Sequence, residues 1–345
     1  MNESLTFFDE VFDLQLHLGK YTFVSTMCIM RLLILFLLAL GACTPAHQRG
    51  NIAYVTNQGD DTVSVIDIKT AKVIQNIAVG KGPVGVTVSQ YLKRAFITNV
   101  DSQNISVIDT ATNTVVDTIT ISGSPVGITI APNSKTLFVA DWYSDRILAI
   151  DSANYKSIKE VIVSKAPAGL VVSPDNALLF VAARDSNEIA VIETATLSIK
   201  KRIAVGKHPF GLTMNHAGDM LYAVNVYDNT VSAINTKTWA QTIIKVGEHP
   251  YCSAVSADDK TLYVTNTQDD TVSIIDLATQ QTTATIEVGM TPEGISYAPE
   301  ASWVLVASWG ENKVSIIDAK TQKLFTHIKT GSKSRAFGAF ILPSR

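Results

Sequence analysis

The sequence predicts an all-β protein, a seven-bladed β-propeller of four-stranded antiparallel blades. Three observations support this prediction: a repeat of about 42 residues, four short β-type segments in each repeat, and no sustained helical pattern. A period of about 40–45 residues with four strands per unit is typical of propeller blades.

Three markers recur with this period, and we number the strands of each unit from the proline. The proline before strand one lies at Pro83, Pro125, Pro167, Pro209, Pro250 and Pro292. Strand two begins with an aromatic or aliphatic residue at Tyr54, Phe96, Phe138, Phe180, Tyr222, Tyr263 and Leu305. Strand three ends with an acid or amide at Asp67, Asp109, Asp151, Glu193, Asn235, Asp276 and Asp318. Seven copies of two markers predict seven blades.

Residue patterns place each strand within its blade. Strand four alternates polar and apolar residues, as Thr118–Ile121 does, which is typical of a strand with one buried face. Strands two and three are apolar on both faces, as in Val63–Ile66, which suits strands packed between neighbouring blades. We therefore predict that strand four is outermost and that strand one lines the central channel.

The two ends of the repeat region predict how the ring closes. Tyr54 belongs to a strand two, so the N-terminal unit lacks its strand one. The C-terminal segment Gly338–Ile341 is an additional strand, followed by Pro343. We predict that this last strand completes the N-terminal blade, which leaves no long exposed edge.

The repeated acids are assigned to turns, because every unit carries one whatever else it contains. Asp67, Asp109, Asp276 and Asp318 each precede a short polar turn. A carboxylate there can accept a hydrogen bond from the backbone two residues on, forming an Asx-turn. We expect these residues to stabilise the fold and not to act in catalysis.

Two sequence motifs resemble those of a known family. Tyr54–Asn57 and Tyr263–Asn266 both read YVTN, and Gly80–Gly85 and Gly206–Gly211 read GKGPVG and GKHPFG. Over about residues 51–341 the chain resembles the YVTN β-propeller repeat proteins. The resemblance implies the propeller fold but not one function, because this fold hosts several activities.

The N-terminal region predicts export. Residues 32–42 form an apolar run after Arg31 that is too short to span a bilayer and is typical of a signal peptide. Leu40–Cys43 resembles a bacterial lipobox, which would make Cys43 the lipidated first residue of the mature protein; the alternative is an ordinary signal peptide with a chance cysteine. We expect residues 1–42 to be the signal peptide, with the true start at Met27 or Met30. Residues 43–50 would be a tether and residues 51–345 the propeller.

Charge and cysteine content restrict the classes of function. The net charge is −3, and residues 1–42 contain four of the acids and two of the bases. The mature chain is therefore nearly neutral, which argues against nucleic-acid binding. Cys252 would be unpaired once Cys28 is removed with the signal peptide and Cys43 is acylated. Because Cys252 occupies a position that is glycine in other repeats, we expect it to be a buried core thiol. We expect the protein to be a monomer.

Function is expected where the repeats differ. The loop before strand one and the loop between strands two and three share one face, and blades five and six place His-Pro-aromatic there, at His208–Phe210 and His249–Tyr251. Aromatic, histidine and arginine side chains at a channel mouth are typical of binding surfaces. The candidate residues are His208, Phe210, His249, Tyr251, Glu293, Arg335, Trp142, Tyr143, Arg184, Tyr227 and Trp309. The alternative is that these histidines bond only backbone groups and that the aromatic residues pack over the loops.

No Walker loop, GxSxG, HExxH or CxxC motif occurs in the sequence. The leading hypothesis is a non-enzymatic, lipid-anchored periplasmic scaffold, on the outer membrane, that binds a small molecule or a protein at this face. The second hypothesis is a cofactor- or metal-dependent enzyme or redox protein, because haem-binding nitrite reductase and lactonase propellers are similar in fold. His208 and His249 would then be metal ligands, with Glu293 or Cys252 as a further ligand. The third hypothesis, single-stranded DNA binding, is supported by aromatic residues that could stack on bases. The sequence names no cofactor.

The lipobox gives a direct test of anchoring. We expect Cys43→Ala to release the protein from membranes, because stable anchoring requires acyl chains and more than one of them. Cys28→Ala, within the predicted signal peptide, is the matched control and should stay membrane-bound. Cell fractionation with immunoblotting measures both, and a Cys43→Ala protein that remains in the membrane fraction at the wild-type level would place the anchor elsewhere.

Overall fold

The computed structural model of the protein describes residues 51–342, so the predicted signal peptide, tether and lipidation site lie outside the described residues. The described chain forms 29 β-strands and one three-residue 3-10 turn, Arg184–Ser186. The predicted all-β class is therefore confirmed. No helix among residues 51–342 is long and apolar enough to cross a membrane.

The strands follow the predicted repeat. Blades one to three contain β1 (Ile52–Asn57), β2 (Thr62–Asp67) and β3 (Lys72–Ala78); β4 (Pro83–Ser89), β5 (Arg94–Asn99), β6 (Asn104–Asp109) and β7 (Thr114–Thr120); and β8 (Pro125–Ile130), β9 (Thr136–Asp141), β10 (Arg146–Asp151) and β11 (Ser157–Ile162). Blades four and five contain β12 (Pro167–Val172), β13 (Leu178–Ala183), β14 (Glu188–Glu193) and β15 (Ser198–Ala204); and β16 (Pro209–Met214), β17 (Met220–Asn225), β18 (Thr230–Asn235) and β19 (Gln241–Lys245). Blades six and seven contain β20 (Pro250–Val255), β21 (Thr261–Asn266), β22 (Thr271–Asp276) and β23 (Gln281–Glu287); and β24 (Pro292–Ala298), β25 (Trp303–Ser308), β26 (Lys313–Asp318) and β27 (Lys323–Lys329). The chain ends with β28 (Phe337–Ala339) and β29 (Ile341–Leu342).

Each blade is a sheet in which consecutive strands pair antiparallel, as in the order β20-β21-β22-β23 of blade six. The two middle strands are buried along almost their whole length, whereas β23 exposes most of its residues and buries Ile286. This is the predicted arrangement: apolar Val, Ile and Leu on both faces of the middle strands pack against the neighbouring blades.

The repeated acids form the predicted turns. Asp67 Oδ1 accepts a hydrogen bond of 3.0 Å from the Thr70 amide, and Asp318 Oδ1 accepts 2.9 Å bonds from two successive turn amides. These bonds satisfy backbone donors that no strand pairs with. The acids therefore stabilise the turn between strands three and four.

The C-terminal segment closes the ring, as predicted. β29 pairs antiparallel with β1, joining Ala53 to Ile341, and the Tyr54 amide donates to the Phe340 carbonyl at 2.9 Å. Phe340 is completely buried in a cluster that joins blades one, two and seven. The C-terminal strand thus supplies the missing strand one of blade one.

One detail of the closure prediction is wrong: Gly338 and Ala339 do not pair with blade one. They belong to β28, which pairs in parallel with β4 as a fifth strand of blade two. The cause is chain length. Between the pairs Asn57–Ser334 and Ala53–Ile341, β1 advances by four residues and the closing segment by seven. The surplus residues loop into the channel and pair with the neighbouring inner strand.

Ring closure predicts a strong effect of truncation. Deleting residues 336–345 should unfold or aggregate the protein, because it removes Phe340 from the core and leaves β1 and β4 with unpaired edges. Deleting only residues 343–345 is the control and should leave the melting temperature within a few degrees of wild type. Thermal melting and size-exclusion chromatography measure both; a monodisperse 336–345 deletion with the parent's melting temperature would contradict the closure mechanism.

Candidate functional site

The candidate loops lie side by side on one face of the propeller. In blade five the Val226 amide donates to the His208 carbonyl at 3.1 Å, and in blade six the Thr267 amide donates to the His249 carbonyl at 3.0 Å. Blade seven repeats the contact between Trp309 and Thr291. The loop before strand one and the loop between strands two and three therefore form one surface in each of these blades.

The backbone conformation at the two histidines is a feature of the repeat. His208 and His249 have φ angles of 53° and 50°, and Ala166 occupies the same position in blade four with φ 53°. An amide side chain of the preceding blade fixes each histidine: Asn187 and Asn229 accept from the two histidine amides at 2.9 and 3.0 Å. The repeat thus determines this backbone conformation, and the side chain at the position is free to vary.

The residues after the prolines form what we call the channel ring. Its members are Val84, Val126, Ala168, Phe210, Tyr251, Glu293 and Arg335, the last from the closing segment. Phe210 contacts Tyr251 and Phe337, with ring centroids 4.1 and 4.8 Å apart, and Trp142 lies 5.8 Å away. Only 4% of Phe210 is exposed. Aromatic rings from three blades and the closing segment therefore pack together where the ring surrounds the channel.

Two of the seven channel-ring residues, Glu293 and Arg335, are charged and face each other. Arg335 Nε lies 2.5 Å from Glu293 Oε2, and Arg335 Nη2 donates to the Tyr251 hydroxyl at 2.5 Å. Glu293 is only 8% exposed. Burial raises the pKa values of Glu293 and Tyr251, although the adjacent guanidinium opposes both increases. Gln58 Oε1 also accepts from Arg335 and from the Trp309 indole, at 3.3 and 3.2 Å, which links blade one to the closing segment and to blade seven.

Outside the channel ring, three side chains form a cluster that we call the rim. His208 stacks on Tyr227 with ring centroids 4.1 Å apart, and His249 meets Tyr227 edge-on at 5.4 Å. Burial and the nearby Arg184 lower the pKa of His208, against the effect of Asp185, whose Oδ1 lies 4.0 Å from its Nδ1. The net effect favours the neutral form of the His208 imidazole.

The other candidates lie around these two groups. Arg184 lies over the Trp142 ring at 5.4 Å, and Lys333 lies over the Trp309 ring at 5.0 Å. Tyr143 is 80% exposed and Tyr227 51% exposed. Phe210, Tyr251, Glu293 and Arg335 thus belong to the closed ring, whereas the histidines and the two tyrosines face solvent to different degrees.

The suggested metal ligands do not form a metal site. The Tyr227 ring contacts both His208 and His249, and Glu293 is paired with Arg335. Among residues 51–342, no group of three or more histidine, cysteine, aspartate or glutamate side chains could hold a metal ion. Cys252 is a buried free thiol, and burial raises its pKa, which makes it a poor ligand and nucleophile.

Sequence reasoning missed Phe337 and Gln58. Phe337 lies in the part of the closing segment that loops into the channel and has no counterpart in the repeat, so no spacing pointed to it. Gln58 follows the YVTN motif of blade one and joins the site only because Arg335 and Trp309 reach it from the other end of the chain. Nothing in the period predicts that contact.

Comparison with known proteins supports the fold. Residues 216–337 match the family model of the YNCE-like β-propeller. A search of the curated proteins finds no match.

Three solved structures are similar. The hydrazine synthase of Kuenenia stuttgartiensis is 19% identical, covers 79% of this chain and 96% of its own, and has a TM-score of 0.70. A functionally unknown protein from Desulfotomaculum acetoxidans DSM 771 is 15% identical, with coverage of 85% and 99% and a TM-score of 0.75. The dihydro-heme d1 dehydrogenase NirN in complex with DHE is 13% identical, with coverage of 82% and 74% and a TM-score of 0.65. These likenesses concern the fold. With its seven blades the chain is a seven-bladed β-propeller, and its residues 216–337 are similar to the YNCE-like β-propeller family.

Proposed function

We propose that this chain is an exported, lipid-anchored propeller that binds a protein partner through the rim and the exposed tyrosines beside it. The observation that carries the proposal is the cluster of His208, Tyr227 and His249, side chains at positions where most other blades have different residues. The repeat requires their backbone conformation but not their rings. Tyrosine and histidine rings that are at least partly exposed on a rigid scaffold are typical of binding surfaces.

The closed channel ring favours a broad partner over a small molecule at this face. Phe210 and Glu293 are almost completely buried, and their neighbours in the ring are bonded to each other. A small ligand approaching from this side would have to separate Arg335 from Glu293, which leaves a buried charge unpaired. The accessible surface is instead the shallow area around Tyr143, Tyr227 and the histidines, which suits a protein surface.

Cofactor chemistry is the rival class, and the titles of two structural neighbours support it: a hydrazine synthase, and a dihydro-heme d1 dehydrogenase in complex with DHE. Both structures are similar to this chain in fold alone, since their sequence identities to it are 19% and 13%. The geometry of the two histidines favours partner binding, because Tyr227 fills the space between them. An absorption spectrum and a metal analysis of protein purified from its own host distinguish the two classes.

A double substitution tests the rim. His208→Ala with His249→Ala should abolish capture of the partner while changing stability by about 0.5 kcal/mol or less, as exposed loop substitutions usually do. Alanine is compatible with this backbone, because Ala166 occupies the same position in blade four with a similar φ. Cross-linking and pull-down from periplasmic extract, paired with a melting curve, measure binding and stability.

Two controls complete that experiment. Tyr91→Ala removes an exposed tyrosine from a turn between strands one and two, and should leave capture of the partner unchanged. Asp276→Ala breaks an Asx-turn and should lower the melting temperature but spare capture. Undiminished capture by the double-histidine variant would exclude the rim as the binding surface. A haem-type spectrum, or binding of single-stranded oligothymidylate that depends on Tyr143 and Tyr227, would favour the rival classes instead.

A further inference from the structure

A recess lies in the channel, on the side of the channel ring that faces away from the rim. It is a cavity of about 320 Å³ between the inner strands of blades three to seven and the closing segment. Phe337 belongs to both regions: it packs on Phe210 and also lines this cavity. His216 and Ala257, in turns between strands one and two, lie at its mouth. The cavity therefore opens on the face opposite to the rim.

The closing segment shapes this cavity. Because β28 pairs with β4, its residues Gly338 and Ala339 occupy the side of the channel that blades one and two would otherwise line. Both residues are exposed to the channel. The remaining space is a pocket on one side of the channel. Its volume is at the lower end of the range for ligand sites, about 300–1,000 Å³.

The chemistry of the walls is uncharged. Among the described residues, no lysine, arginine, aspartate or glutamate side chain lines the cavity. Its walls combine apolar side chains, such as Leu170, Met214 and Ile295, with hydroxyl groups. Within residues 51–342 the Thr129 and Ser296 hydroxyls have no hydrogen-bond partner and are available to a ligand. A charged ligand would lose its hydration here without gaining a counter-charge.

The mouth adds one oriented polar group. His216 Nδ1 lies 2.6 Å from Asp259 Oδ1, and Asp259 also accepts from the His216 backbone amide at 3.0 Å. A carboxylate can only accept, so Nδ1 carries the proton, and Nε2 is left for an external partner. His216 is thus held at the mouth without contributing a counter-charge deeper in the cavity.

From these walls we infer that the cavity is a binding site for a small, uncharged, largely apolar molecule with one or two hydrogen-bonding groups. This inference does not rest on the proposed rim function, because the two surfaces lie on opposite sides of Phe337 and the channel ring. The apolar body of the ligand would contact Phe337, Met214 and Ile295. Its polar group would meet the hydroxyls of the wall or His216 at the mouth.

The test uses indole as an uncharged probe, with indole-3-acetate and tryptamine as anionic and cationic probes of the same ring system. Binding is measured by calorimetry and by ligand-observed NMR on the purified protein. We expect indole to bind at least about tenfold more tightly than either charged probe, because the cavity offers no counter-charge. Absence of indole binding, or equal binding of the three probes, would overturn the inference.

Two cavity-filling variants place the probe. Ser296→Phe and Leu170→Trp, from opposite walls, should each weaken indole binding by at least about tenfold by occupying its space. A melting curve for each variant verifies folding, and one folded variant suffices. Ile162→Ala, at an exposed position on the outer strand of blade three, is the control and should bind indole as the wild type does. Indole binding at wild-type affinity to a folded filled variant would place the probe outside the cavity and overturn the inference.

Discussion

Neighbouring inner strands approach each other closely, and this approach determines the dimensions of the channel. A Cβ added at Gly127 would collide with the carbonyl oxygen of Ala168, and one added at Gly294 would collide with that of Arg335. Where strand two carries threonine, its hydroxyl bridges to the next blade: Thr56 and Thr265 donate to the carbonyls of Val84 and Glu293, each at 3.1 Å. With the strands this close, the residue after each proline is brought to the channel ring. The site chemistry therefore follows from a packing constraint of the repeat.

Most of the fold could be predicted because the same sequence pattern recurs in all seven blades. Strand order, the exposed outer strands and the Asx-turns all depend on local patterns that recur, and the completion of blade one follows from counting strands. The parallel pairing of β28 could not be predicted, since it depends on a surplus of residues between Ser334 and Ile341 in one segment only. The repeat period predicts the elements that recur in every blade, but it does not predict the structure of additional residues that occur only once.

The candidate site was predictable as a face but not as a set of contacts. Matching positions place His208 and His249 in adjacent blades, but no spacing indicates that the Tyr227 ring lies between them. Likewise, Trp142 and Phe210 belong to blades three and five and meet only because the channel is narrow. The division of the candidates into a closed ring and an exposed rim depends on such contacts, and side-chain packing across the channel determines it.

The buried pair of Glu293 and Arg335 connects ring closure with this division. An apolar residue serves at the same ring position in Val84 and Ala168, so packing alone does not require charges, and a buried ion pair stabilises little once its desolvation is counted. Arg335 belongs to the closing segment, and its contacts with Glu293, Tyr251 and Gln58 join that segment to blades seven, six and one. A guanidinium with several fixed acceptors has one favourable position. Arg335 therefore fixes the register in which the closing segment, with its additional residues, pairs with the neighbouring strands. The same segment carries Phe337 between the rim face and the cavity. The interaction that sets the register of closure thus also keeps the two ends of the channel separate.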